Sequence, residues 1–303
     1  MTKKEYFRSP LFYVGDKYKL LPQIIPHFPE MSGRFIEPFT GGGSVFINTP
    51  TKEVYVNDID NHLVEIHKTL LSYSDNVQKL LDDIEQLIKK YRLTSSNKSI
   101  EIDTELKSKY PKTYFAVLNR DAYNSMKNDF NKSPNKDYLV LYLLLIFGFN
   151  RMLRFNKKGE FNIPVGNVDF NKNVEKALTD YLKETKKKSV NVFNLDYKEF
   201  IKQVNPKKDD FIYFDPPYLI TGSEYNKLWN EDNEKELYEI VDKLHRKGVK
   251  FMISNVLEYG DKKNPILKEW SKNYNVVDVK SNYINRFDNK QKQLHEILVK
   301  NYA

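Results

Sequence analysis

The sequence contains no cysteine, which excludes disulfide bonds and metal sites built from thiolates. The five histidines are His27, His62, His67, His245 and His295. No two of them have the spacing that is typical of a metal-ligand pair, so we expect no bound metal. The most apolar run, residues 138–149, is shorter than the ~20 residues that cross a membrane. No apolar segment follows the basic start of the chain, so we expect no signal peptide and a cytoplasmic protein.

Acidic residues are outnumbered by basic ones, 41 against 49, and the formal net charge is +8. A basic balance favours polyanionic partners such as nucleic acid, although it says nothing about the fold. Forty per cent of the residues are hydrophobic, which is ordinary for globular proteins and not for disordered ones. A chain of 303 residues is long enough for one large α/β domain or two smaller ones.

Segments rich in β-branched and aromatic residues occur in two separate blocks. The early block comprises residues 34–39 and 53–60, and the late block comprises residues 189–195, 210–215, 249–254, 275–280 and 295–302. Residues 233–248 have apolar side chains at helical spacing and end on Gly248, a usual residue after a helix. Strands that alternate with helices predict an α/β fold with a mixed, mostly parallel sheet and helices on both faces.

The residue pattern between the two blocks differs from that within them. Residues 76–93 and 137–150 have helical patterns, and residues 152–166 predict a β-hairpin whose turn is Asn156-Lys157-Lys158-Gly159. We therefore predict one α/β domain formed by residues 1–65 and 189–303, interrupted by an insert of helices and a hairpin at 66–188.

A glycine triplet follows the first predicted strand in the segment "FIEPFTGGGSVF", residues 35–46. Gly41, Gly42 and Gly43 have no Cβ, so a ligand can approach the backbone closely. Asp58 ends the next predicted strand, where an acidic residue can bind ribose hydroxyls. Glu37 suits a cationic or hydroxyl-bearing ligand better than a pyrophosphate, and no dinucleotide or P-loop motif is present. The pattern predicts a nucleoside cofactor; a tight turn without a ligand is the alternative.

A second unusual segment is "FIYFDPPY", residues 211–218, in which a predicted buried strand ends on a carboxylate and two prolines. The prolines have no N–H groups to donate, while their carbonyl groups can still accept. With the Asp215 carboxylate and the ring of Tyr218, they form an acceptor-rich cup that suits a planar ring bearing an amino group. The alternative is a capped strand end with a rigid turn.

The segments "FIEPFTGGGSVF", "VNDID" and "FDPPY", in this order and with a large insert, resemble the Dam-like family of S-adenosylmethionine-dependent DNA adenine-N6 methyltransferases. Residues 11–24, "LFYVGDKYKLLPQI", are similar to the N-terminal motif of that family, although Asp16 occupies a position where many members have glycine. Residues 149–166 are similar to the hairpin of its target-recognition domain, although many members have glycine in place of Arg151. The resemblance covers most of the chain.

The resemblance implies a Rossmann-like catalytic domain and a target-recognition domain at 66–188. It also implies transfer of a methyl group from S-adenosylmethionine to N6 of an adenine flipped out of double-stranded DNA, with S-adenosylhomocysteine as the product. Hydrogen bonds from the amino group to Asp215 and to the Pro216 carbonyl would stabilise the developing positive charge. No metal and no covalent enzyme intermediate are expected.

The resemblance and the residue types together predict three sets of site residues. The catalytic set is Asp215, Pro216, Pro217 and Tyr218. The cofactor-binding set is Tyr13, Lys17, Glu37, Pro38, Phe39, Gly41, Gly42, Gly43, Asp58, Ile59, Asp196, Tyr197 and Asp215. The DNA-binding set is Asn150, Arg151, Arg154, Asn156, Lys157 and Lys158, with Arg286 as a further phosphate contact. The flap predicted to order around the extruded base is residues 219–229.

Several alternatives fit the same residues. The cup would also accept the exocyclic amine of cytosine or of an adenine in RNA. A DNA-binding regulator without turnover, or a protein that binds ATP or a dinucleotide, belongs to a different class. We expect a monomer or weak dimer that acts in restriction–modification, in a phage or as a solitary enzyme, with a cognate endonuclease as a functional partner.

Overall fold

The computed structural model describes residues 5–98, 103–222, 229–280 and 294–303. The chain forms two compact units. The first consists of Met1–Tyr18, Gly41–Asn48 and Asp60–Lys187, and the second of Lys19–Thr40, Thr49–Ile59 and Lys188–Ala303. The division of labour between a catalytic domain (1–65 and 189–303) and a target-recognition domain (66–188) stays a prediction.

All described strands belong to the second unit and form one sheet. They are β1 Phe35–Glu37, β2 Glu53–Asn57, β3 Ser189–Phe193, β4 Phe211–Phe214, β5 Lys250–Tyr259, β6 Lys262–Lys263, β7 Asn275–Val279 and β8 Leu294–Lys300. Their order is β3-β2-β1-β4-β5-β8-β7, and β6 pairs with β5. The first five strands in this order are parallel, whereas β8 is antiparallel to both β5 and β7. The predicted mixed, mostly parallel α/β sheet is confirmed.

The helices of the described residues are distributed over both units. In chain order they are α1 Leu21–Ile24, α2 Ser44–Asn48, α3 Asn61–Leu71, α4 Val77–Tyr91, α5 Thr104–Lys109, α6 Tyr114–Lys132, α7 Tyr138–Phe147, α8 Lys172–Thr185, α9 Tyr197–Val204, α10 Glu231–Arg246 and α11 Pro265–Trp270. Helices α2 to α8 lie in the first unit and the others in the second. Among the described residues, no helix has both the length and the apolarity to span a bilayer.

One face of the sheet packs against α9, α10 and α11. Its buried side chains alternate along the strands, as in Ile212 and Phe214 of β4, and contact Leu237 and Val241 of α10 in one core cluster. Helix α10 begins with a capping box at Asn230, which satisfies N–H groups that the first turn leaves unpaired. Gly248, at φ 78°, follows its end as the sequence predicts.

The other face carries Phe35, Phe211 and Tyr213. The ring of Phe28, which follows α1 and a short 3-10 turn, lies 4.8 Å from the Phe211 ring centroid and 5.8 Å from those of Phe35 and Tyr213. Burying these aromatic rings holds the α1 segment against the start of the central strands. The sheet is therefore covered by apolar side chains from both directions.

An ion pair joins the segments that lead into β1 and β4. The Arg34 guanidinium donates from Nε and Nη2 to the two oxygens of Asp210, at 3.1 and 2.6 Å. Burial alone would raise the pKa of Asp210, but the bonds from Arg34 and the backbone N–H of Lys207 lower it. Gly33 is needed here, because a Cβ would lie 2.5 Å from the Asp209 carbonyl oxygen. This end of the sheet is thus fixed at a defined register.

The first unit is built around α7, whose residues from Leu139 to Phe147 are all buried. The predicted reversal at 152–166 is present, but its pairing consists of isolated bridges, Phe155 with Phe161 and Gly148 with Val165. Sequence periodicity did not identify α6, since polar residues interrupt its apolar face. Tyr123 of α6 is fully buried and its hydroxyl donates to the Ile163 carbonyl at 3.2 Å, which links α6 to the hairpin segment.

Candidate active site

Four parallel strands of the second unit end at one edge of the sheet, and acidic residues stand there. Glu37 is the last residue of β1, Asp58 directly follows β2, and Asp215 directly follows β4. Asp196 follows β3 and caps α9 by accepting from the Lys198 N–H at 2.9 Å. Ligands of open α/β sheets bind at the carboxyl ends of the strands, so this edge is the candidate site.

The register of the strands places several polar side chains on the same face of the sheet. Phe35 pairs with Phe211 and Met252 with Tyr213, and β8 pairs Glu296 with Val256. Because side chains alternate between the faces, those that share the face of Tyr213 are Glu37, Asp215, Ser254 and Glu296. The Tyr213 hydroxyl lies 2.5 Å from Ser254 Oγ.

The charge around this tyrosine keeps it neutral. Burial raises the pKa of Tyr213 well above its usual value, and the nearby carboxyl groups of Asp215, Glu296 and Glu37 raise it further. Its hydroxyl is therefore a hydrogen-bonding group and not a base. The same carboxyl groups make this end of the sheet suited to a cationic ligand.

The Asp215–Tyr218 turn is anchored by its tyrosine. The Tyr218 hydroxyl is 2.9 Å from Asp215 Oδ1 and 2.9 Å from Glu296 Oε1. Tyr218, Pro217 and Asp215 are half-buried and Pro216 is buried, so the tyrosine ring is less exposed than its position after two prolines indicates. The involvement of Glu296 was not predicted from the sequence, although a lone carboxylate in the apolar run of β8 is a detectable signal.

Asn57 joins the ends of three strands. Its amide nitrogen donates to the carbonyl groups of Pro38 and Leu195, both at 3.0 Å, and its amide oxygen accepts from the Leu195 N–H at 2.9 Å. The neighbouring Asp58 carbonyl accepts from Asn194 Nδ2 at 2.9 Å. Asn57 is 1% exposed and was not predicted from the sequence. It fixes the spacing between the segments that follow β1, β2 and β3.

An aromatic cluster stands beside this edge, formed by Phe39, Tyr197 and Trp229. The Phe39 ring centroid lies 5.2 Å from that of Tyr197 and 5.9 Å from that of Trp229. The Tyr197 hydroxyl is buried and has no hydrogen-bond partner within the described residues, and burial raises its pKa. Ile59, which the sequence places with the cofactor, is 71% exposed. Apolar and aromatic side chains thus accompany the carboxylates at this edge.

The glycine turn belongs to the first unit and is held by two side chains. Gly41 and Gly43 have φ angles of 51° and 82°, which a residue with a Cβ rarely adopts. His67 Nε2 lies 2.9 Å from the Gly41 carbonyl oxygen, and Ser9 Oγ donates to the Gly42 carbonyl. A Cβ on Gly43 would lie 2.9 Å from the His67 ring. The backbone of this turn is therefore pre-shaped by side chains around it.

The tautomer of His67 follows from these contacts. A carbonyl oxygen only accepts, so Nε2 carries the hydrogen, and Nδ1 accepts from the Tyr181 hydroxyl at 3.0 Å. Burial lowers the pKa of His67 from 6.5 to about 4. The imidazole is thus neutral at physiological pH. His67 was not assigned a role from the sequence, because a single histidine on a helix gives no local signal.

The N-terminal motif lies in the same unit as the glycine turn. Tyr13 and Lys17 are buried, and a Cβ on Gly42 would lie 3.0 Å from the Tyr13 Cβ. Lys17 Nζ lies 3.4 Å from the Gly15 carbonyl oxygen. Asp16 accepts from the Tyr18 N–H at 3.1 Å, and burial raises its pKa. The motif therefore packs against the glycine turn within this unit.

The structure places the predicted DNA-binding residues in different environments. Asn150 and Arg151 have φ angles of 53° and 51°, and the Arg151 guanidinium lies 4.0 Å from the centroid of the Phe12 ring. Arg154 is exposed and donates to Asn162 Oδ1 at 2.8 Å.

The tip of the hairpin is shaped by Asn156, whose amide oxygen accepts from the N–H groups of Lys158 and Glu160 at 2.9 and 3.0 Å. Lys157 and Lys158 are exposed at this tip. The phosphate contact predicted for Arg286 lies outside the described residues, as does most of the predicted flap.

Comparisons of the sequence with known proteins find related methyltransferases. The chain is 34% identical to type II methyltransferase M.FokI of Planomicrobium okeanokoites, over 98% of this chain and 43% of the relative. It is 34% identical to modification methylase StsI of Streptococcus sanguinis, over 99% of this chain and 44% of the relative. It is 27% identical to type II methyltransferase M.MjaIII of Methanocaldococcus jannaschii, over 96% of this chain and 98% of the relative.

The chain thus spans less than half the length of the first two relatives. A family model described as D12 class N6 adenine-specific DNA methyltransferase matches residues 13–284, which include the glycine turn and the Asp215–Tyr218 turn. The resemblance to Dam-like methyltransferases is confirmed, and the chain belongs to the D12 class of N6 adenine-specific DNA methyltransferases.

Proposed function

We propose that this chain transfers a methyl group from S-adenosylmethionine to N6 of adenine in double-stranded DNA. The observation that carries the proposal is the Asp215–Tyr218 turn, which stands directly after the central strand β4 at the carboxyl edge of the sheet. Family membership supports adenine and DNA over the cytosine and RNA alternatives.

The residues at the carboxyl edge of the sheet fit S-adenosylmethionine by their chemistry. Glu37 and Asp58 are acceptors for the ammonium group and the ribose hydroxyls, and the rings of Phe39 and Tyr197 suit a planar base. The exposed Ile59 offers an apolar contact for the same base. We assign Asp196 and Pro38 to cofactor binding as well. When bound, S-adenosylmethionine supplies an electrophilic methyl group on a sulfonium centre.

In the first unit, we assign the glycine turn to cofactor binding as well. Gly41, Gly42 and Gly43 present backbone without Cβ atoms, and His67 and Ser9 hold the turn in shape. Tyr13 and Lys17 belong to the motif that packs against it. These assignments rest on the match of the motifs to the family and on the hydrogen bonds that hold the turn in a defined shape.

Asp215 and the Pro216 carbonyl are assigned to the amino group of the target adenine. The lone pair of that nitrogen is delocalised into the ring, and two accepted hydrogen bonds favour a tetrahedral nitrogen that can attack. They also stabilise the positive charge that develops on it, and Asp215 takes up the proton that leaves. Stacking on Tyr218 returns ~1–3 kcal/mol of the cost of extruding the base.

The hairpin of the first unit is the proposed DNA contact. Lys157 and Lys158 at its exposed tip are assigned to phosphates, and Arg154 to a base edge. We also assign Asn150, Arg151 and Asn156 to the DNA contact, although the amide of Asn156 also shapes the turn. The names of two relatives, a type II methyltransferase and a modification methylase, favour a restriction–modification setting with a cognate endonuclease.

Incubation of the protein with unmethylated DNA and labelled S-adenosylmethionine, followed by nucleoside mass spectrometry, tests the proposal. We expect N6-methyladenine in the wild-type reaction. The Asp215→Asn protein should lose about 10²–10³ in kcat while it still binds S-adenosylhomocysteine. Asp209→Asn, at the opposite end of the same strand, is the matched control and should keep full activity.

Three results would contradict the proposal or part of it. N4-methylcytosine as the only product would refute the adenine assignment. Methylation that survives Asp215→Asn unchanged would refute the role of that carboxylate. DNA binding without any methylated product would favour the regulator that lacks turnover.

A further inference from the structure

A carboxylate is fully buried at the start of α10. Glu234 is 0% exposed, although its acidic neighbours in the first turn, Glu231 and Asp232, are exposed. An acidic residue near a helix N-terminus is favourable without burial, and the capping box at Asn230 already satisfies the first N–H groups. The end of the helix therefore does not require a buried carboxylate. Burying one is costly unless it is hydrogen-bonded, so its partners indicate its role.

Four donors converge on this carboxylate. Its Oε1 accepts from the Tyr238 hydroxyl at 2.6 Å and from Nδ2 of Asn255 and Asn264, both at 2.9 Å. Its Oε2 accepts from the Trp229 indole N–H at 2.7 Å. The two oxygens therefore contact different parts of the second unit. Oε1 joins α10 to β5 and to the first residue before α11, whereas Oε2 holds one aromatic ring.

The direction of these hydrogen bonds follows from the other contacts of the donors. The amide oxygens of Asn255 and Asn264 accept from backbone N–H groups of β5 and α11 at 2.7 and 3.0 Å, so each amide nitrogen faces Glu234. Burial, and next the charge of Glu234, raise the pKa of Tyr238 well above its usual value, so its hydroxyl keeps a hydrogen to donate. An indole N–H can only donate. The position therefore needs a group that accepts at both oxygens.

Of these four donors, Trp229 lies in the aromatic cluster beside the carboxyl edge of the sheet. Its ring centroid is 5.9 Å from that of Phe39 and 6.0 Å from that of Tyr197. These two residues follow β1 and β3, and their rings suit the planar base of the cofactor. The bond from its N–H to Glu234 selects one orientation of the half-buried indole within the cluster.

We infer, on the basis of the proposed binding of S-adenosylmethionine, that Trp229 is a further contact for the cofactor base and that Glu234 is the positioning residue that orients its ring. The indole adds a third aromatic surface to those of Phe39 and Tyr197. Glu234 acts on the cofactor through Trp229. Its removal should therefore change the affinity for the cofactor and not the rate of methyl transfer from the bound cofactor.

The Glu234→Gln exchange separates the two sets of contacts. With its oxygen in the place of Oε1, glutamine keeps the three hydrogen bonds at that atom, and its –NH₂ group then faces the indole N–H of Trp229. We expect the KM for S-adenosylmethionine to rise about tenfold, as for one lost hydrogen bond, while kcat stays within about twofold of the wild type. Glu239→Gln, exposed on the same helix, is the matched control and should keep both constants.

A second exchange tests whether the effect passes through the indole. Trp229→Phe keeps an aromatic face but lacks the N–H, so it should weaken binding of S-adenosylhomocysteine about tenfold as well. In the Trp229→Phe protein, Glu234→Gln should change the dissociation constant by less than about twofold, because the bond that it removes is already absent. A carboxylate that only stabilised the frame would weaken binding equally in both backgrounds. Isothermal titration of the four proteins measures these constants.

Fluorine-19 NMR follows the ring without requiring activity. The chain has two tryptophans, so labelling with 5-fluorotryptophan gives two resonances, which Trp229→Phe and Trp270→Phe assign. We expect S-adenosylhomocysteine to shift the resonance of Trp229 and to leave that of Trp270 in place. Without cofactor, Glu234→Gln should shift or broaden the Trp229 resonance, whereas Glu239→Gln should leave it unchanged.

The possible results separate the inference from the proposed function. If the Trp229 resonance responds to S-adenosylhomocysteine and to Glu234→Gln but no adenine is methylated, the proposed function is refuted and the inference stands. Wild-type affinity in Trp229→Phe overturns the inference, as does a loss of affinity on Glu234→Gln that persists in the Trp229→Phe protein. If Glu234→Gln fails to fold, hydrogen exchange at the Trp229 indole in the wild type tests the bond. Exchange as fast as that of free indole would overturn the role of Glu234.

Discussion

At the scale of single residues, the buried histidine of the glycine turn links pH to stability. The pKa of His67 is lowered by burial to about 4, against 6.5 for an exposed imidazole. Between these two pH values the unfolded chain binds a proton that the folded chain does not bind. The contribution to stability is therefore complete above pH 6.5 and is lost as the pH falls towards 4.

We predict that His67→Gln removes this pH dependence. The full loss between the two pKa values amounts to about 3 kcal/mol. Urea unfolding at pH 7 and pH 5 measures the free energy of unfolding, and the difference between the two conditions should shrink by about 2 kcal/mol in the variant. Tyr181→Phe, which removes the partner hydroxyl but keeps the imidazole, is the control and should retain the difference. An unchanged difference in His67→Gln would mean that other groups carry it.

The same residue offers a test of the glycine turn. Glutamine at position 67 carries an amide N–H that can still donate to the Gly41 carbonyl, whereas glutamate of the same length only accepts. We predict that His67→Glu at pH 8 weakens S-adenosylhomocysteine binding about tenfold relative to His67→Gln, by the loss of one hydrogen bond to the turn. Isothermal titration of the two folded proteins measures this ratio, and equal affinities would show that the Gly41 contact does not matter for the cofactor.

At the scale of elements, the two tryptophans lie in different parts of the second unit. Trp229 lies in the aromatic cluster with Phe39 and Tyr197, whereas Trp270 of α11 stacks on Tyr238 of α10 at 4.0 Å. The Trp229 indole N–H donates to Glu234 at 2.7 Å, which fixes its ring beside the start of α10. A cofactor that contacts the cluster must change the surroundings of Trp229.

We predict that S-adenosylhomocysteine changes the fluorescence of Trp270→Phe, in which Trp229 is the remaining tryptophan. Trp229→Phe, which retains Trp270, is the matched control and should show no change on addition of the cofactor. A signal in the control but not in Trp270→Phe would place the cofactor away from the aromatic cluster.

The ion pair at the amino end of β1 and β4 belongs to the same scale. Asp210 is 3% exposed, and replacing its carboxylate by a neutral amide removes the anionic partner of Arg34, which still donates to the Val204 carbonyl at 3.3 Å. We predict that Asp210→Asn lowers the free energy of unfolding by about 3 kcal/mol, because breaking a buried pair leaves a charge uncompensated. Chemical denaturation measures the loss, and the exposed Asp209→Asn should change stability by less than about 0.5 kcal/mol. A small effect of Asp210→Asn would mean that solvent replaces the carboxylate.

At the scale of the whole molecule, the net charge of +8 bears on DNA binding. Contacts to phosphates release counterions, so affinity falls linearly with the logarithm of salt concentration. We predict that replacing Lys157 and Lys158 by glutamine reduces the slope of that dependence by about 2, one for each lost phosphate contact. Fluorescence anisotropy with labelled duplex at several salt concentrations measures the slope.

The control for this prediction changes the net charge equally at another place. Lys262 and Lys263 of β6 are exposed in the second unit, and their replacement by glutamine should leave the slope close to that of the wild type. Equal slopes for both double variants would show that overall charge, and not the hairpin tip, governs the affinity.

The sequence by itself determined the strands apart from β6, the glycine turn and the Asp215–Tyr218 turn, because β-branched runs, glycine triplets and consecutive prolines act on the backbone where they stand. Parallel strands then brought Glu37, Asp58 and Asp215 to one edge without further information. Helix α6 escaped detection, since polar residues interrupt its apolar face and its buried residues contact partners that are distant in the chain, as Tyr123 contacts Ile163.

Only the tertiary structure decided which side chains meet. Tyr218 and Glu296 are 78 residues apart, and Asn57 and Leu195 are 138 residues apart. His67 reaches Gly41 across 26 residues. No local pattern encodes such contacts, because they depend on sheet register and on packing between elements. The motifs therefore specify the kind of chemistry, whereas the packing of the sheet and helices sets the positions and protons of the groups that perform it.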